Sequence, residues 1–229
     1  MSRAWSQKWF SFRSIADRIT VLSFFAFGLG LLTQLVWMIG TDRNDGIDFI
    51  KLVNVTGFTL LALSAGRSKI VVVLMRLVLA FTFLGSVADR FGLLGGPGKT
   101  GVSWGNFSHF VDYTRDVTSF LPSSWAPALA VMATIAETGI GLGLVLGKWQ
   151  RLAALGATGL LGIFGISMTI SLGIASPFSY SVWLLATGAL VLSRPIASRW
   201  FPAFVIQRRY SNPDPTRSRI VEDGHYEPS

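Results

Sequence analysis

The sequence predicts an all-α fold, a polytopic bundle of six transmembrane helices. Of the 229 residues, 51% are hydrophobic and only 14% are charged, whereas soluble domains carry about 25% charged residues. The distribution of charge is equally informative, because no Asp, Glu, Lys, Arg or His lies between Arg151 and Arg194. A membrane helix needs about 20 apolar residues, so this stretch holds two spans, and Ser176 and Pro177 mark the turn between them.

Six apolar segments qualify as spans, and loop charge fixes their orientation. Their ranges are 19–40, 49–66, 70–88, 125–147, 152–175 and 178–193. The second and sixth are near the lower limit of about 17 residues. Basic residues occupy alternate connections, namely the N-terminal segment, the turns at 67–69 and 148–151, and the start of the tail. Short basic loops stay in the cytoplasm, so we expect a bacterial inner-membrane protein with both termini cytoplasmic. If the second segment did not span the membrane, one of these basic connections would lie outside the cytoplasm.

The same pattern divides the chain into four parts. Residues 1–18 form a basic cytoplasmic N-terminus, and residues 19–66 form an N-terminal transmembrane hairpin. Residues 67–194 form a four-helix membrane core with an outer loop at 89–124. Residues 195–229 form a cytoplasmic tail, largely disordered because it is rich in Pro, Ser and charged residues and poor in apolar ones.

Composition also limits the chemistry of the chain. There are no cysteines, which excludes disulfide, thiolate and cysteine-ligated metal chemistry. The two histidines are far apart in sequence, so we expect no metal site. The net charge of +8 is better explained by cytoplasmic loops facing anionic lipid than by binding to nucleic acid.

Two ionisable residues lie inside spans and are the strongest candidates for a site. Arg76 lies seven residues after Lys69, and Glu137 lies eleven before Lys148. At 1.5 Å per residue these depths differ by only about 6 Å, so we expect Arg76 and Glu137 to form an ion pair between the third and fourth spans. Such a pair either fixes helix packing or marks a proton or ligand site. Both interpretations remain open.

Two further polar groups are candidates. Gln34 on the first span and Asn54 on the second lie at similar depths, so we expect a hydrogen bond that joins these helices. The outer loop concentrates aromatic and polar side chains that suit a quinone headgroup at the membrane interface. The alternative is an amphipathic lid that holds no ligand. The candidate pocket residues are Trp104, Asn106, His109, Asp112 and Tyr113.

Residues 70–193 resemble the DoxX family of small bacterial membrane proteins. The resemblance rests on short stretches that include Met75-Arg76-Leu77, Trp104-Gly105-Asn106-Phe107, Ala136-Glu137-Thr138-Gly139, Arg151-Leu152-Ala153-Ala154 and Ser176-Pro177. It implies a four-helix membrane core. It also implies an association with thiosulfate:quinone oxidoreduction or with membrane complexes that respond to sulfur or oxidative stress.

The expected function is therefore that of an accessory subunit of a quinone-linked oxidoreductase or a redox-stress membrane complex. The partners would be membrane lipid and a redox enzyme. We expect no covalent cofactor, and a quinone is the candidate ligand. A small transporter or lipid-binding protein, and a membrane scaffold without turnover, are the alternatives. Enzymatic turnover and oligomeric state are left open.

Overall fold

The structure, a computed structural model, describes residues 15–41, 49–64 and 68–194. The described residues form eight α-helices and one short 3-10 turn at Ser123–Trp125, and they contain no strand. The predicted all-α fold is confirmed. The helices are α1 (Ile15–Thr41), α2 (Phe49–Leu63), α3 (Lys69–Arg90), α4 (Phe107–Val117), α5 (Ala126–Leu146), α6 (Gln150–Leu172), α7 (Ala175–Ser179) and α8 (Val182–Leu192).

Four of these helices are long and apolar enough to cross a membrane. They occupy Thr20–Gly40, Lys69–Arg90, Ser123–Leu146 and Gln150–Leu172. Large apolar side chains on their outer faces are exposed, as Phe25, Ile70, Ile135 and Leu152 show. Such a surface matches lipid rather than water. The chain is therefore a polytopic helical membrane protein, as predicted.

The second and sixth predicted spans appear as shorter apolar helices. The second predicted span corresponds to α2, which has 15 residues. The sixth predicted span corresponds mainly to α8, which has 11 residues and is therefore about 17 Å long at 1.5 Å per residue. The short helix α7 precedes α8, and the break between them lies at Tyr180 and Ser181. Ser181 has φ 55° and ψ 27°, a left-handed conformation that interrupts the helix. The prediction of one continuous helix over 178–193 was wrong at this point.

Local signals explain where the long core helices begin and end. Ser68 caps α3, and its side chain accepts a hydrogen bond from the backbone N–H of Val71. Gly147 ends α5 with φ 69°, the left-handed conformation that glycine adopts without steric cost. The chain then reverses within three residues, so α6 packs antiparallel beside α5.

The helices pack around two extensive contacts, α3 with α5 and α6 with α8. The N-terminal helices join this core, because α1 packs on α8, and α2 packs on both α3 and α8. Helix α4 covers the end of the bundle where α3 stops and α5 starts, which we call the α4 end. The division into four parts stays a prediction, and most of the N-terminal segment 1–18 and the whole of the tail 195–229 lie outside the described residues.

Candidate functional site

A buried arginine at the last position of α3 organises the α4 end of the bundle. The Arg90 side chain is 1% exposed, and its Nη2 lies 2.7 Å from both carboxylate oxygens of Glu137. Its Nη1 donates to the Thr134 hydroxyl at 3.0 Å, and Nη2 also donates to the Ser86 hydroxyl at 3.0 Å. Thr134 and Glu137 lie three residues apart on one face of α5, and Ser86 lies one turn before Arg90 on α3. Three side chains therefore converge on one guanidinium group.

The expected ion pair between Arg76 and Glu137 is not formed, because Glu137 pairs with Arg90. The helix register gives the reason. A Cβ atom built at Gly141 would lie 2.7 Å from the Leu84 side chain, so Gly141 is level with α3 near residue 84. Glu137 is one turn closer to the α4 end, level with residues 86–90. Arg76 is buried about twelve residues further from the α4 end, or roughly 18 Å along the axis.

Side-chain direction adds to this separation. The Cα–Cβ bonds of a helix tilt towards its N-terminus. Helices α3 and α5 are antiparallel, so Arg90 leans away from the α4 end while Glu137 leans towards it, and the two side chains converge. Arg76 leans in the same direction as Arg90, and therefore away from Glu137. Counting depth from Lys69 and Lys148 failed because these two residues are not at the same level.

Aromatic rings cover the ion pair. The Arg90 Cζ atom lies 3.5 Å from the centroid of the Phe110 ring and 5.2 Å from that of Trp104, a geometry that stabilises a cation. Trp104 packs edge-on against Phe110 at 5.1 Å and lies 5.7 Å from the Tyr113 ring. Burial raises the pKa of Tyr113 to about 12. Together Trp104, Phe110 and Tyr113 form what we call the aromatic lid.

The residue next to Arg90 fixes the loop that carries the lid. Asp89 is buried, and its carboxylate accepts backbone N–H bonds from Ser103 at 2.8 Å, Trp104 at 3.1 Å and Gly105 at 3.2 Å. Gly105 has φ 69°, and a Cβ atom there would collide with the backbone of Pro97. Only glycine permits this close approach. Asp89 therefore holds the loop while Arg90, one residue later, holds the helices beneath it.

The other predicted loop residues have local roles. The Asn106 side chain caps α4 by accepting from the backbone N–H of His109 at 2.9 Å. The exposed His109 ring places Nδ1 3.1 Å from the Trp104 carbonyl oxygen. Asp112 is exposed and pairs with Arg115 at 2.7 Å. Among the five predicted pocket residues, Trp104 and Tyr113 thus lie in the lid, and Asp112 lies on the outer surface of α4.

The expected bond between Gln34 and Asn54 is absent from the hydrogen bonds of the described residues. The Gln34 amide nitrogen instead donates to the carbonyl oxygen of Phe178 at 3.2 Å. That carbonyl lies just before the break between α7 and α8, where the backbone is open to a side-chain donor. The break in the sixth span, which the sequence did not reveal, supplies this partner.

Sequence reasoning missed Ser86, Asp89, Arg90 and Thr134. Asp89 and Arg90 were assigned to the outer loop, because an Asp-Arg pair after an apolar run is typical of a span end. Two spacings could have identified the cluster. Ser86 and Arg90 lie four residues apart, and Thr134 and Glu137 lie three apart, so each pair shares one helix face.

Chemically, the site is a closed polar cluster. Arg90 and Glu137, 1% and 2% exposed, neutralise each other beneath the lid. Among the described residues, no group of three or more His, Cys, Asp or Glu side chains could hold a metal ion. The fold and site define a multi-pass membrane protein in which an internal ion pair anchors an aromatic lid.

The comparison with protein families overturns the resemblance to the DoxX family. The family model that matches is that of "Methylamine utilisation protein MauE", over residues 68–179. This range contains most of the short stretches on which the DoxX resemblance rested, and it covers just under half of the chain. No curated protein and no solved structure matches the chain.

Proposed function

We propose that this chain is an accessory membrane protein of a redox system in which an amine is used. The similarity to the family named for methylamine utilisation supports this setting. In the proposal, the chain holds a partner redox enzyme at the membrane. The site supports an accessory role because Arg90 and Glu137 are enclosed and mutually neutralised, an arrangement suited to fixing the packing of two helices.

One observation carries the proposal, the double anchoring of the segment 91–125, which we call the lid module. Asp89 binds three backbone N–H groups within the module. Arg90 contacts the Trp104 and Phe110 rings of the module while it binds Glu137 beneath them. Anchoring at two adjacent residues holds an irregular segment in one conformation, and a fixed conformation lowers the entropic cost of binding a partner. The outward side of α4 is polar, with Asp112, Arg115 and Asp116 exposed.

The positive-inside pattern supports the orientation that the proposal requires. The pattern predicts that the lid module lies outside the cytoplasm and that both termini lie inside, in a bacterial inner membrane. Reporter fusions after Gly98 and after Lys148 test this directly. We expect an extracytoplasmic signal after Gly98 and a cytoplasmic one after Lys148, and the reverse at either position would contradict the orientation.

Site-specific photo-cross-linking tests the partner. A photoreactive residue at Asp116, exposed on α4, is compared with one at Lys148, exposed at the opposite end of the bundle. We expect a redox enzyme, identified by mass spectrometry, to be linked at position 116 and not at 148. Equal labelling at both positions, or labelling by lipid alone at 116, would refute the proposal. A bound quinone stays a prediction, and analysis of lipids that co-purify with the protein tests it.

A further inference from the structure

A second polar cluster lies where α1 meets the break between α7 and α8. The Phe178 carbonyl oxygen accepts hydrogen bonds from the Gln34 side-chain amide at 3.2 Å and from the Ser181 backbone N–H at 3.0 Å. Gln34 and Ser181 therefore share one acceptor and are neighbours. The Trp37 ring stacks on the Phe178 ring at 5.6 Å and provides an apolar wall.

This cluster contains buried polar atoms that have no hydrogen bond within the described part of the chain. Gln34 is 0% exposed and Ser181 is 2% exposed, yet neither Gln34 Oε1 nor Ser181 Oγ has a partner there. Because the Gln34 nitrogen is committed to the Phe178 carbonyl, its oxygen is the free acceptor. Leaving a buried polar group without a hydrogen bond is costly, so two such atoms on residues that share one acceptor indicate a binding site.

Asn54 adds a third atom from α2. It is 5% exposed, and its Oδ1 also has no hydrogen-bond partner among the described residues. The Phe58 ring packs directly against Gly188, which fixes the register of α2 against α8. Asn54 lies one turn before Phe58 on α2, and Leu184 lies one turn before Gly188 on α8, so Asn54 and Leu184 are at the same level. Ser181 lies about one further turn before Leu184. The three free polar atoms thus lie on three neighbouring elements at similar depth.

The backbone at this point is strained. Ser181 has φ 55° and is the only non-glycine residue with positive φ in the described part of the chain. Such a conformation is energetically unfavourable for a residue with a side chain and often marks a functional position. Interrupted helices at membrane depth are tolerated where they line a cavity, and in transporters they form substrate sites.

We propose that Gln34, Asn54 and Ser181 bind a small uncharged molecule that donates two hydrogen bonds and accepts one, the pattern of a neutral primary amine. The two amide oxygens accept from its N–H groups, and the Ser181 hydroxyl donates to its lone pair. The Trp37 and Phe178 rings contact its alkyl group.

The uncharged form is favoured for two reasons. None of these side chains carries a negative charge, and burying an unpaired ammonium group is costly. Lys51 lies three residues before Asn54 on the same face of α2 and adds a positive charge nearby. The choice of methylamine as the probe rests on the proposed function. The evidence for the polar cluster itself is independent of that proposal.

Binding is tested on the full-length protein in lipid nanodiscs, by saturation-transfer NMR titration with methylamine. Alkylammonium groups lose their proton near pH 10, so the neutral fraction rises about tenfold per unit of pH below that value. We expect the apparent affinity for total methylamine to rise by the same factor. Tetramethylammonium, which has no N–H group, should not compete. Absent binding, pH-independent binding or competition by tetramethylammonium would overturn the inference.

Variants locate the site. Ser181→Gly removes the hydroxyl and is compatible with the left-handed backbone, so we expect weaker binding, roughly two- to tenfold, with no fall in melting temperature. Asn54→Leu should weaken binding similarly. Thr33→Val is the control, because the Thr33 hydroxyl donates to carbonyl groups of its own helix. Unchanged binding in Ser181→Gly would overturn the inference. Cross-linking at Asp116 should be the same in this variant, so failure here is separable from failure of the proposed function.

Discussion

Removal of the Arg90 guanidinium group should destabilise the protein strongly. In Arg90→Met, Glu137 remains 2% exposed and loses its ion pair, and the hydroxyl groups of Ser86 and Thr134 lose a donor. Breaking a buried pair by deleting one partner costs about 3–5 kcal/mol. One kcal/mol corresponds to about 2–4 °C in melting temperature for a chain of this size, so we expect a fall of roughly 6–20 °C.

The assay is thermal unfolding in mild detergent, followed by fluorescence-detected size exclusion. The double variant Arg90→Met/Glu137→Met provides the decisive comparison, because replacing both partners by apolar groups leaves no buried charge unpaired. We expect it to be more stable than Arg90→Met alone. Arg115→Met is the matched control, since its pair with Asp112 is exposed, and exposed pairs contribute about 0–1 kcal/mol. Additive losses in the double variant would refute the assignment of the pair.

Three further outcomes follow from the lid module. Asp89→Asn leaves one carboxamide oxygen for three backbone donors, so we expect a loss of about 1–3 kcal/mol and faster proteolysis within residues 91–106, measured by mass spectrometry of the fragments. Gly105→Ala should lower the melting temperature more than Gly101→Ala, because both have positive φ but only position 105 meets backbone atoms of Pro97. The phenol of Tyr113 should titrate at about pH 12. Its pKa in the folded protein exceeds the ordinary phenol value of 10.0, so the stability it contributes is complete below pH 10 and is lost between pH 10 and pH 12. Phenolate absorbance, compared with that of Tyr113→Phe, measures this titration.

The sequence was sufficient to predict the helical membrane fold. The long uncharged stretch between Arg151 and Arg194 has no place on the surface of a soluble protein, and hydropathy therefore locates α6 and α8. The break at Ser181 could not be predicted in the same way. A glycine would have indicated a left-handed residue, but a serine at this position gives no such signal.

The site was predicted in part. Glu137 stood out as a carboxylate inside a span, and Trp104 and Tyr113 stood out in an aromatic loop. Arg90, around which these side chains gather, did not stand out, because a charged residue at the end of an apolar run resembles an ordinary boundary residue. The register between α3 and α5 depends on how Gly141 accommodates Leu84. No pattern within either helix determines that contact.

Disulfide cross-linking measures this register most directly, since the chain has no native cysteine to interfere. In a chain with Leu84→Cys and Gly141→Cys, the two introduced side chains face each other, and Cβ atoms about 3.5–4.5 Å apart can form a disulfide. The comparison is Leu77→Cys with Gly141→Cys, two turns or roughly 10 Å away along α3. We predict rapid oxidation of the pair 84/141 and none of 77/141. The opposite result would move Glu137 about two turns, or roughly 10 Å, along α3 away from Arg90, and would contradict the arrangement of the site.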